Sequence, residues 1–142
     1  MATVFIVNKN ILAMEDQILD LEKKYWQGMA SLDYDTVRDL TYFPCTVVSK
    51  YGVKYLDEPT YKKNFDMGEG MKMEIKGISE AVVQMFSKSF ATIGYLIDVE
   101  FESQGQFRKA KCACSSAWIQ ENGKWKCSLH SEADYSPAEQ KK

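Results

Sequence analysis

The chain has 142 residues, of which 45% are hydrophobic and 27% charged, and carries a net charge of −2 at pH 7. That length and balance suit a single domain (residues 1–142) with a sizeable core, and they argue against a disordered chain. Without a basic block no nucleic-acid partner is indicated. No apolar run reaches the roughly 20 residues of a membrane span, and the opening MATVFIVNKN lacks the basic start of a secretory leader, so no membrane partner and a cytoplasmic location are expected.

In chain order, residues 1–9 read as a peripheral tail whose ATVFIV run suits an extra strand, a dimer arm or a loose end. From Asn10, a candidate N-cap, apolar residues recur at Ile11, Met14, Ile18, Leu21, Tyr25, Met29 and Leu32. Steps of three and four draw one stripe on a helix of about six turns, long enough to lie across a sheet. Leu12, Leu19 and Trp26 widen the stripe, while Glu15, Asp16, Asp20, Glu22, Lys23 and Lys24 are placed on the other faces. Asp33 caps a short helix near Tyr34–Thr41, which Phe43-Pro44 stops. Cys45–Lys50 and Val53–Leu56 read as strands around a Tyr51-Gly52 turn. Asp57-Glu58-Pro59 starts a third helix with Tyr61 and Phe65 on its inner face, and Gly68 and Gly70 end it.

The remainder is β. Met71–Met85 forms a long strand in which Gly77 marks a bulge, and Phe90–Glu102 alternates cleanly between apolar and polar residues. Arg108–Asp134 forms a hairpin about Asn122-Gly123, a pair suited to the positive φ angles of a type I′ turn. Trp118 and Trp125 stand on its two arms, placed to pair across it. Residues 135–142 read as a second peripheral tail. This is an α+β order, and helices on one face of the sheet leave the other for solvent or a second copy, so a homodimer through that face is expected.

The four cysteines, Cys45, Cys112, Cys114 and Cys127, include no CxxC knuckle, and the chain has a single histidine. Reduced core thiols are therefore expected, with no metal and no cofactor.

Four segments resemble the nuclear transport factor 2-like superfamily, in particular its SnoaL-like and DUF4440-type members: YWQGMASLDYDTVRDL, TVVSKYGVKYL, DEPTYKKNF and AWIQENGKWKCSLH. The resemblance spans about residues 12–133. It implies a cone: a curved antiparallel sheet wrapped around the long first helix with two shorter helices, an apolar pocket at the open end, and frequent homodimerisation. Function within the superfamily varies with the pocket lining.

Isomerase-like relatives need a tyrosine, an aspartate base and a buried acid; Tyr25 falls at the tyrosine position, but Ser49 and Ser115 fall where the two acids would be. Dehydratase-like relatives need more than one histidine. Hydrolase-like relatives need an Asp–Arg–Asp relay, and neither Arg38 nor Arg108 is set between buried carboxylates by this pattern. His130 is the most interesting single side chain. Simple alternation gives it the parity of Ser128 and Glu132, opposite to Trp125, Cys127 and Leu129.

The expectation is a domain that binds a small apolar molecule without necessarily catalysing a reaction. Trp26, Met29, Phe43, Tyr61, Phe65, Trp118 and Glu132 are the candidate ligand-binding residues. The first alternative is a small isomerase, cyclase or hydrolase that uses His130 and Tyr25. The second is an oligomerisation module like the kinase association domain, working through its sheet face.

Overall fold

The computed structural model describes the backbone of residues 2–137 and the side chains of residues 12–137; Met1 and the end of the expected C-terminal tail, 138–142, lie outside it. Three helices and six strands follow in the order α1 (Ala2–Ala30), α2 (Tyr34–Asp39), β1 (Thr41–Ser49), β2 (Gly52–Leu56), α3 (Glu58–Asp66), β3 (Lys72–Ser87), β4 (Phe90–Ser103), β5 (Gln106–Glu121) and β6 (Lys124–Asp134). The first helix starts at Ala2, so the β-prone ATVFIV run is helical and Asn10 lies within a helix instead of capping one. Once a helix is nucleated, each β-branched residue added to it costs only tenths of a kcal/mol, about 0.7 at most.

Local signals at the other helix ends operate as their chemistry dictates. The Asp33 carboxylate accepts from the Thr36 backbone N–H at 3.2 Å, and Asp57 does the same for Thr60 at 3.0 Å. Each satisfies a donor that an uncapped first turn leaves open. α2 is held close to α1 because Gly28 has no side chain: a Cβ there would stand 2.9 Å from Val37 Cγ2.

The strands form one sheet in the order β2-β1-β6-β5-β4-β3. Every pairing is antiparallel except β1 with β6, which is parallel. β1 also begins at Thr41, earlier than expected. Its ladder with β6 is interrupted between Thr41 and Thr46, around Pro44, which has no N–H to give. The β5–β6 hairpin turns on Asn122 (φ 52°) and Gly123 (φ 78°), both in the left-handed region that a type I′ turn requires. Trp118 and Trp125 are not direct partners in it: Trp118 pairs with Cys127, and Trp125 with Gln120.

α1 lies across the inner face of the sheet, against β3 and β4. Ile18, Tyr25 and Trp26 from α1, Val37 from α2, Ile93, Tyr95, Ile97 and Val99 from β4, and Cys114, Trp118, Trp125 and Cys127 from β5 and β6 make up most of the core. All four cysteines are free. No described helix is long and apolar enough to cross a membrane.

Candidate functional site

One core residue is a carboxylate. Glu22 is 1% exposed, on the face of α1 that meets the sheet. It follows Ile18 by four residues and precedes Tyr25 by three and Trp26 by four, so helical geometry puts it on the stripe and not on the solvent faces expected for it. Three donors converge on it. The Tyr95 hydroxyl reaches Oε1 at 2.5 Å, the Ser116 hydroxyl reaches the same oxygen at 2.7 Å, and the Trp118 indole N–H reaches Oε2 at 2.7 Å. Trp26 Nε1–H in turn donates to the Tyr95 phenol oxygen at 2.6 Å. A buried carboxylate is tolerable when its lone pairs are met in this way. Burial, and then the adjacent Glu22 charge, holds the Tyr95 phenol far above its ordinary range.

His130 joins this network from β6. Its Nδ1 is 2.9 Å from Ser116 Oγ and 3.7 Å from Glu22 Oε1. The Ser116 proton is committed to Glu22, so Ser116 accepts from His130 and Nδ1 carries hydrogen. The other nitrogen, Nε2, faces Glu132 Oε1 at 3.2 Å. His130 is buried like Trp125 and Cys127, contrary to the parity expected from alternation. The reason is a bulge. Ala117 pairs with Leu129 and Trp118 with Cys127, so Ser128 is an extra residue that resets the phase of β6.

Nε2 opens toward a cavity of about 220 Å³ between α1, α3 and the β2–β1–β6 edge of the sheet. α1 supplies Tyr25, Trp26 and Met29, α3 supplies Tyr61, Asn64 and Phe65, and β6 supplies His130 and Glu132. Val47, Leu56 and Lys54 from β1 and β2 complete the wall. The walls are chiefly apolar and aromatic. The Trp26 ring meets the imidazole edge-on at 5.8 Å between centroids, and Tyr25 lies 6.2 Å from it. The Tyr25 and Tyr61 hydroxyls are hydrogen-bonded to each other. Desolvation, the largest influence on each, raises both phenols well above their usual range.

Of the residues expected at a site, His130, Tyr25, Trp26, Met29, Tyr61, Phe65 and Glu132 are brought together around this cavity. Phe43 and Trp118 are not on its wall. Phe43 packs behind Tyr61, edge to face at 5.4 Å, and Trp118 is fully buried with its N–H directed at Glu22. Ser49 and Ser115 supply no acid: Ser115 hydrogen-bonds Ser131 at 2.5 Å. Sequence reasoning missed Glu22, Tyr95 and Ser116. The signal available for Glu22 was its position, an acid at helical spacing inside an apolar stripe.

No family model matches the sequence, and no curated protein matches it. Solved structures do match in three dimensions. An NTF2-like protein from Cytophaga hutchinsonii superposes with a TM-score of 0.72 at 16% identity, covering 84% of this chain and 97% of that one. An NTF2-like protein of unknown function in nutrient uptake from Rhodospirillum rubrum gives 0.71 at 17% identity, covering 84% and 98%. A CaMKII hub homology domain from Chlamydomonas reinhardtii gives 0.74 at 12% identity, covering 87% and 98%. This chain has the NTF2-like fold, which is also described as cystatin-like.

Proposed function

We propose that this chain is a SnoaL-like binding domain that takes a small, largely apolar molecule with one polar end into the cavity between α1 and α3, and that it works as a cytoplasmic homodimer joined through the outer sheet face. The observation that carries the reading is the cavity itself: about 220 Å³, walled by Trp26, Met29, Phe65 and Leu56, with the His130 imidazole presented at its inner end. Apolar walls with a few convergent polar groups are what a ligand site requires. Alternation along the strands gives Leu96, Ala117 and Ser131 to the uncovered face, beside the paired charges of Asp98 and Lys111, a mixed surface of the kind that non-obligate interfaces use. In the catalytic form of this reading, His130 moves a proton on the bound molecule while Tyr25 steadies the charge that develops.

The second reading is assembly. CaMKII hub and association domains from three organisms share the fold with TM-scores of 0.67 to 0.74, and a module of that kind would act through its sheet face with the pocket incidental. Native mass spectrometry of freshly purified protein separates the two. A dimer carrying a stoichiometric extra mass is expected. Rings larger than a dimer, with no added mass, would replace the binding reading with assembly.

A further inference from the structure

Exposure is graded along the cavity wall. Tyr25, Trp26, Tyr61 and His130 are buried at its inner end, whereas Lys54 of β2 and Asn64 of α3 stand exposed at its rim. The polar groups of the inner end are joined to one another: the Tyr25 hydroxyl to that of Tyr61, and the imidazole to Ser116 on one side and Glu132 on the other. The rim is different. Lys50 and Lys62, on either side of Lys54 in the chain, are paired with Asp134 and Asp66, but among the described residues Lys54 is paired with no carboxylate. Val47 pairs with Lys54 across one ladder and with His130 across the other. The Lys54 and His130 backbones are therefore two strand spacings, roughly 10 Å, apart. Glu132, the one acid on the wall, is turned to the imidazole at 3.2 Å and not to the lysine.

Resting on the pocket reading above, we infer that the polar end of the ligand is a carboxylate held at the rim by Lys54 Nζ, with the Asn64 amide as a second donor. Its aromatic or alkyl body then lies inward against Trp26 and Phe65. The inner walls are apolar and their polar groups are already partnered, so a charged head meets nothing there and stays outside. At the rim the ammonium offers three hydrogens and the amide two. A carboxylate accepts from both with its two oxygens and balances the lysine charge as the ligand body displaces water from it. A hydroxyl accepts too but leaves that charge unbalanced, and an amine meets it with a like charge. His130 takes no part in holding the head.

Three matched probes test this with the full chain: 3-phenylpropanoate, 3-phenylpropan-1-ol and 3-phenylpropylammonium, each titrated calorimetrically. The carboxylate is expected to bind about fivefold to tenfold tighter than the alcohol, and the ammonium more weakly than either. Raising the salt from about 0.05 M to about 0.5 M should narrow that gap, as for any exposed ion pair. K54M keeps the apolar stem and removes the charge. Shown to be folded by its urea midpoint, it should bring the carboxylate down to the alcohol's affinity, while K54R keeps the preference and N64A loses part of it. Alcohol or ammonium binding as tight as the carboxylate overturns the inference and leaves the pocket reading intact. So does a preference that K54M leaves unchanged. Failure of all three probes overturns both.

Discussion

Trp118 and Glu22, ninety-six positions apart in sequence, meet through a 2.7 Å hydrogen bond inside the fold, and each makes the other's burial possible. The indole needs an acceptor where water cannot reach it, and the carboxylate needs donors. E22L would leave the donors of Trp118, Tyr95 and Ser116 without their shared acceptor. A loss of about 3–5 kcal/mol is expected in urea unfolding monitored by tryptophan fluorescence. E22Q should cost less, because its amide oxygen can still accept from Tyr95 and Ser116 and only the Trp118 N–H, now facing a second donor, loses its acceptor.

Gly28 gives a prediction in which sterics oppose propensity. Alanine is the better helix former by roughly 1 kcal/mol, yet the new methyl would press on the buried Val37. G28A should therefore be destabilising by about 1–3 kcal/mol, as overpacking usually is. In a double-mutant cycle with V37A, the coupling should recover most of that loss.

The thiols should report burial. Cys45, Cys114 and Cys127 are buried and Cys112 is partly exposed, and desolvation raises all four thiols. Iodoacetamide at pH 8 should modify Cys112 first in the native protein and all four residues in urea, read by intact mass. A thiol raised in the folded state supports the fold below the unfolded value. Stability should therefore decline as pH rises above about 8.5, where the unfolded chain ionises and the folded one does not.

The tyrosines extend the same logic to higher pH. Tyr25, Tyr61 and Tyr95 are all raised, chiefly by burial. In an ultraviolet titration these three of the eight tyrosines should form phenolate only when the protein unfolds, as a cooperative step separate from the exposed ones.

The β6 bulge predicts an asymmetry between losing and gaining a residue. Deleting Ser128 leaves Leu129 and His130 alternating in phase with Cys127, so the imidazole should stay inside. Inserting one alanine after Ser128 restores plain alternation, so His130 stays on the inner face but slides two residues along β5, opposite Cys114, and the Ser116 contact should be lost.

Much of the fold was legible because the relevant signals are local. Asn122-Gly123, the Asp33 and Asp57 caps and the α1 stripe each act within a few residues. The parallel pairing of β1 with β6 was not legible, because it joins segments far apart and leaves no mark on either. At the site, residue spacing placed Tyr25 with Trp26 and Met29, and Tyr61 with Phe65. Glu22 is hard to read because its charge suggests a solvent face whereas its angle on the helix puts it on the apolar stripe. His130 was assigned the wrong phase because the bulge falls at an ordinary serine, with neither glycine nor proline to flag it.

β3 forms one edge of the sheet, and its pairing with β4 slips between Ile75 and Gly77 and again between Ser79 and Val82. These irregularities interrupt what would otherwise be a sixteen-residue row of open backbone donors and acceptors. A straight edge of that length is a template on which another chain can crystallise. The kinks deny it a matching repeat. Mutations that straighten β3 would therefore show themselves first as turbidity on storage, before any change in the pocket could be measured.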